Sequence, residues 1–160
     1  MFWKVGLILN TTSQIYNIRV TSRAGIRSVL RELDSSTIVI SIYDPNKKPE
    51  LTNHDLQTIP HLCGLLSVPF WDELLDEHGC MTELQAREIL SFVKTHLPWI
   101  SNIVVHCEAG ISRSAGVAAA LAKILNGNDD FFFDYFHNRY VPNMTCYRRI
   151  LEQYYLEDSK

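Results

Sequence analysis

Apolar positions along this chain follow two spacings, and they alternate with one another. Residues 3–9 and 15–20 read as strands on either side of the turn-rich run Asn10-Thr11-Thr12-Ser13. Thr21 or Ser22 then stands where a helix cap belongs. Ile26, Val29, Leu30 and Leu33 follow at i, i+3, i+4 and i+7, the period of one helix face. Thr37 to Ile42 is a β-branched run that ends at Asp44-Pro45-Asn46, a strand leaving into a turn. Residues 52–58 suit a short helix, and Leu62 to Val68 another strand.

Pro69 to Met81 has no period and carries Trp71, Asp72, Glu73, Asp76 and Glu77, so it reads as a mobile acidic loop. Thr82 followed by Gln85 is a capping box, and the helix it opens runs through Leu97 with Ala86, Leu90, Val93 and Leu97 inward. Ile103, Val104 and Val105 in succession suit a strand buried on both faces. Ser114 to Asn126 is apolar nearly all round and closed by Gly127. Two helices, about 129–138 and 143–157, complete the pattern. The first would take the aromatic cluster Phe131-Phe132-Phe133, Tyr135 and Phe136 into the core. Asn143 would cap the second, whose stripe is Tyr147, Ile150, Leu151 and Tyr154. Strands and helices interleave, so the fold class is α/β, a central sheet covered by helices.

Composition narrows this picture. The length, 160 residues, fits one domain over 1–160. With 46% hydrophobic and 21% charged residues the chain is neither disordered nor a coiled coil. A net charge of -3 points to no nucleic-acid partner and no membrane surface. Val5 to Leu9 is a short apolar run without a cleavage site, and no stretch reaches the roughly 20 residues of a membrane span. Four cysteines lack CxxC spacing and the histidines lack ligand spacing, so neither a metal site nor a disulfide framework is expected. The expected compartment is cytoplasmic.

The chemistry concentrates in His106-Cys107-Glu108-Ala109-Gly110-Ile111-Ser112-Arg113-Ser114, between a buried strand and a helix. Backbone N–H groups of a tight loop can converge on one anion, and the following helix adds its N-terminal partial charge. Gly110 admits conformations closed to other residues. The same field favours thiolate at Cys107, which makes it a nucleophile. Arg113 can return across the loop and grip two phosphoryl oxygens. His106 would orient the loop, Ser112 would hydrogen-bond within it, and Ser114 would stabilise a departing thiolate.

On these residues the sequence resembles the protein tyrosine and dual-specificity phosphatase superfamily, whose signature is HCxxGxxR followed by Ser or Thr. HCxAGISRSA is similar to the compact dual-specificity branch. The likeness is sharpest over 99–126 and collinear over 36–98 and 128–156. It implies a single domain with a central four- to five-stranded, mostly parallel sheet flanked by helices. It also implies two-step hydrolysis through a phosphocysteine, with no metal and no cofactor. Low-molecular-weight tyrosine phosphatases put the cysteine near the N-terminus with the acid after it, an order opposite to this one.

Attack on a phosphate ester needs an acid to protonate the leaving oxygen. The acidic loop upstream is its source. The resemblance implies an Asp just after a strand, and Asp72 in Val68-Pro69-Phe70-Trp71-Asp72 matches, with Asp76 and Glu73 as alternatives. The expected substrate is a phosphorylated protein, phosphotyrosine first and phosphoserine or phosphothreonine next, and the expected state a monomer. Two other readings stay open: a phosphatase of inositol phosphates, phosphoinositides or RNA 5′ ends, and an inactive phosphoprotein-binding module. Glu108 in the loop argues against highly anionic substrates. Cys63 and Cys146 read as structural thiols rather than disulfide partners of Cys107. Arg139, Arg148 and Arg149 read as solvated surface charge, and the capping role accounts for Asn143.

Overall fold

A computed structural model describes residues 14–160; the strand expected at 3–9 lies outside them. Four strands form one sheet: β1 (Asn17–Ser22), β2 (Thr37–Tyr43), β3 (Leu62–Pro69) and β4 (Asn102–Cys107). Their order is β1-β4-β2-β3 and every pairing is parallel. The helices are α1 (Ile26–Glu32), α2 (Asn53–Thr58), α3 (Glu83–His96), α4 (Arg113–Asn126) and α5 (Met144–Asp158). The α/β fold expected from the alternating spacings is the one observed.

Side-chain alternation on the strands sorts the helices into two layers. Ile38, Ile40, Ile103 and Val105 face the core shared with buried residues of α3, α4 and α5, while Val39 and Val104 face that of α1 and α2. All six residues of β4 are buried, as its unbroken apolar run requires. Helix α4 is buried over nearly its whole surface. Ser22 and Cys107 are register partners, as are Ser41 and His106, so the C-terminal ends of three neighbouring strands meet. In open parallel sheets that edge is where ligands bind.

Two helix ends match their sequence signals. Thr82 and Gln85 exchange both capping-box hydrogen bonds, and Asn143 Oδ1 accepts from the amides of Thr145 and Cys146. The expected helix over 129–138 is absent. A 3-10 turn, Asp130–Phe133, is followed by irregular chain. Asp and Asn side chains take the backbone groups a helix would use. Asn128 Oδ1 accepts from Asp130 N at 2.8 Å, and Asp134 Oδ1 from Phe136 N at 3.3 Å. The aromatic cluster is correspondingly split. Phe132 is buried, whereas Phe131 and Tyr135 are exposed and Phe136 is 97% exposed. No helix among the described residues is long and apolar enough to cross a membrane.

Candidate active site

The loop from Cys107 to Arg113 is shaped by backbone contacts with two other segments. Arg23 N donates to Glu108 O at 3.1 Å, Val141 N to Ile111 O at 2.9 Å, and Asn143 N to Ser112 O at 3.0 Å. Gly110 adopts φ +69°, and a Cβ there would lie 2.6 Å from the Thr21 carbonyl carbon. Any side chain at 110 is therefore excluded by both conformation and space. Ser112 precedes α4 without capping it through its side chain, which leaves the first-turn amides for an anion.

Within the loop, Cys107 is 3% exposed and its Sγ lies 3.0 Å from Ser114 Oγ. His106 is fully buried beneath it, with Nε2 at 2.6 Å from Ser41 Oγ and Nδ1 at 3.2 Å from Cys107 O. Burial pushes the His106 pKa below its ordinary value and keeps the ring neutral. The Ser41 partner was not foreseen. Its one signal was a lone serine inside the apolar run of β2.

Arg113 is buried, and its Nη1 donates to Phe70 O at 2.7 Å and forms an ion pair with Asp44 Oδ1 at 2.8 Å. These partners hold one edge of the planar guanidinium, and the Nε–Nη2 edge is the one suited to two phosphoryl oxygens. In the sequence, the turn signal Asp44-Pro45-Asn46 is a sufficient local explanation for Asp44. Burial raises its pKa, but hydrogen bonds and charge from Arg113 and Lys47 outweigh that and lower it overall. Its place at the end of β2, next to β4, was the available clue. Lys47 also reaches Glu108 at 3.2 Å, so the acidic side chain of the loop is paired.

The acidic segment 70–81 stands against this loop. Asp72 Oδ1 accepts from Ser112 Oγ at 2.7 Å and from Asn143 Nδ2 at 2.9 Å. Asn143 Nδ2 also reaches Glu73 O, and Thr145 Oγ1 donates to Leu74 O at 2.8 Å. Gln85 Nε2 donates to Pro69 O at 2.7 Å at the base of the segment. Asp76 instead pairs with Arg149 at 2.8 Å. The loop expected to be mobile is thus fastened along its length. Arg149, expected as solvated charge, has a side chain only 19% exposed. Asn143 does more than cap: it carries Asp72.

Cys146 is fully buried and burial, followed by the Asp72 charge, pushes its thiol pKa well up, while Cys63 is exposed; all four cysteines are free thiols. Among the described residues no cluster of three or more His, Cys, Asp and Glu side chains is placed to hold a metal ion. A cleft of about 760 Å³ between α3 and α5 is lined by Arg87, Lys94, Trp99 and Leu156 among others, and by no residue of the Cys107 loop.

No protein-family model and no curated protein sequence matches the chain. Solved structures do. Human DUSP28 superposes with a TM-score of 0.60 at 15% identity, over 89% of this chain and 95% of its own. The fold is that of the compact dual-specificity phosphatases. The human tyrosine phosphatase-like serine/threonine/tyrosine-interacting protein matches at TM-score 0.56 and 18% identity, covering 90% and 94%. PTPMT1 in complex with PI(5)P matches at 0.57 and 13%, covering 89% and 93%. The dual-specificity phosphatase fold thus extends over most of both chains in each comparison.

Proposed function

We propose that this chain hydrolyses phosphate monoesters, protein phosphotyrosine first and phosphoserine or phosphothreonine next, through a phosphocysteine on Cys107. One observation carries the reading: a buried Cys–Arg anion cradle and an Asp from a separate loop converge at one end of the sheet, with Asp72 only 2.7 Å from the cradle residue Ser112.

The cradle amides and the first turn of α4 favour negative charge at Cys107. Its thiolate attacks phosphorus while the Nε–Nη2 edge of Arg113 and the loop amides hold the non-bridging oxygens. As the phosphorus–oxygen ester bond breaks, Asp72 gives its proton to the departing oxygen. Two donors converge on Oδ1, so Oδ2 is the oxygen that carries that proton. In the second step water attacks phosphorus, its proton passes to the Asp72 carboxylate, and the phosphorus–sulfur bond breaks. Ser114, 3.0 Å from Sγ, stabilises the returning thiolate. Asp76 suits the acid role less well: hydrogen bonding to Arg149, then its charge, lowers its pKa and keeps it ionised.

Glu108 places an anion at the cradle, and Lys47, which pairs with it, is already engaged. That favours a singly phosphorylated side chain over a polyanionic inositol phosphate. The reading takes 1–160 as one catalytic domain acting as a monomer on phosphorylated proteins in the cytoplasm, with no cofactor. The test is hydrolysis of phosphopeptides and inositol phosphates by wild type and Cys107→Ser, in chelator. The expected result is wild-type turnover of phosphopeptides, phosphotyrosine fastest, and none by Cys107→Ser. Turnover that survives Cys107→Ser, or that requires added metal, would overturn it.

A further inference from the structure

The segment 70–81 has two legs, and only the first touches the cradle. Its second leg ends on Arg149 of α5. Arg149 Nη1 lies 2.8 Å from Asp76 Oδ1 and 3.4 Å from Cys80 Sγ, and it donates to Met81 O. The two legs are joined to each other. Trp71 N donates to Gly79 O at 2.9 Å, and Gly79 sits at φ +82° with the Trp71 ring where its Cβ would be, 2.7 Å from Cδ1. Trp71 is the neighbour of Asp72. A contact path therefore runs from Arg149 through Asp76, Gly79 and Trp71 to the proposed acid.

We propose that Arg149 is a positioning residue, a clamp on the second leg that holds Asp72 over the cradle before substrate arrives. This rests on the reading of Asp72 as the proton donor. The plainer alternative is an ordinary surface ion pair, which contributes little. Two observations set Arg149 apart. Its side chain is largely buried although that of Asp76 is 74% exposed, and its Nη1 contacts three groups on one leg rather than one. Its effect is geometric: displacing a catalytic group by about 1 Å can cost on the order of 100-fold in rate. Asp76 remains ionised to low pH because of Arg149, so the clamp persists wherever the enzyme would work.

The test compares Arg149→Ala, Asp76→Asn, the double variant and the conservative Arg149→Lys, all in the full chain. Phenyl phosphate, whose leaving group needs the acid, is set against para-nitrophenyl phosphate, whose leaving group needs it less. Arg149→Ala and Asp76→Asn should each lose about tenfold in kcat on phenyl phosphate. On para-nitrophenyl phosphate the change should be small, with KM unmoved on both. The double variant should be no worse than either single, and Arg149→Lys, which keeps a cationic donor for Asp76 and the Met81 carbonyl, should lose less than Arg149→Ala. Equal loss on both esters, additive losses, or an Arg149→Lys variant no better than Arg149→Ala would overturn the clamp. A selective loss in Asp76→Asn that Arg149→Ala does not share would make Asp76 itself the acid. Wild-type turnover that depends on Cys107 reports separately on the phosphatase reading. Where wild type hydrolyses neither ester, amide hydrogen exchange over 71–81 decides. Exchange about tenfold faster in Arg149→Ala and Asp76→Asn, and unchanged in α4, supports the clamp; unchanged exchange in the loop contradicts it.

Discussion

The cradle and the acid loop face each other across the end of the sheet but are held in opposite ways. The cradle is one contiguous stretch between β4 and α4, and backbone hydrogen bonds from Arg23, Val141 and Asn143 fix its path. The acid loop is held mainly by side chains of α5 and of its cap Asn143, which lies 71 residues further along the chain than Asp72. Backbone contacts survive most substitutions of the residues that make them. Side-chain contacts do not. The cradle should therefore fail only when its own chemistry is removed, whereas the acid loop should be sensitive to residues that never meet substrate.

The largest effect tests the cradle. Arg113→Lys keeps the charge but not the planar edge, and should lower kcat on the order of 10³-fold on every phosphate ester, whatever its leaving group. Steady-state kinetics on phenyl and para-nitrophenyl phosphate would show this, and a loss confined to the poorer leaving group would erase the contrast between the two regions. A smaller and more selective effect tests the loop. Asp72→Asn should cost about 100-fold on phenyl phosphate and far less on para-nitrophenyl phosphate. Equal losses, or a comparable selective loss that Asp76→Asn shows alone, would move the acid elsewhere.

The smallest effect compares supports rather than reacting groups. His106 lies under the cradle with a pKa that burial lowers from 6.5. Below that pH the unfolded chain binds a proton that the folded chain does not. Its contribution is thus complete above 6.5 and is lost as pH falls towards the folded value. Asp76 has a pKa lowered from 3.8 by Arg149, so its contribution persists above 3.8 and is lost only as pH falls through the folded value. Urea midpoints from about pH 7 to about pH 5 should therefore decline shallowly, and His106→Asn should flatten the slope. A slope that His106→Asn leaves intact would place the titrating group elsewhere.

Much of the fold was legible in the sequence because its signals are local. The triple Ile103-Val104-Val105, the Thr82–Gln85 box and the Gly127 end each act within one element, and each appears where expected. The cradle was legible for the same reason. Asp44, Ser41 and Arg149 were not, because their roles arise only when strand ends and α5 meet in space. Asn143 had a sufficient local explanation, capping, which concealed its second bond to Asp72. The helix expected over 129–138 failed where Asn128 and Asp134 competed for backbone amides, an outcome that apolar spacing does not register.

The central claim is that Cys107 becomes covalently phosphorylated. The most direct measurement is rapid acid quench of the Asp72→Asn variant mixed with para-nitrophenyl phosphate, followed by peptide mass spectrometry. The account predicts one phosphoryl group on the peptide that carries Cys107, bound through sulfur, and none in Cys107→Ser. Product release with no phosphorylated Cys107 peptide at any quench time, or phosphate found on another residue, would contradict it.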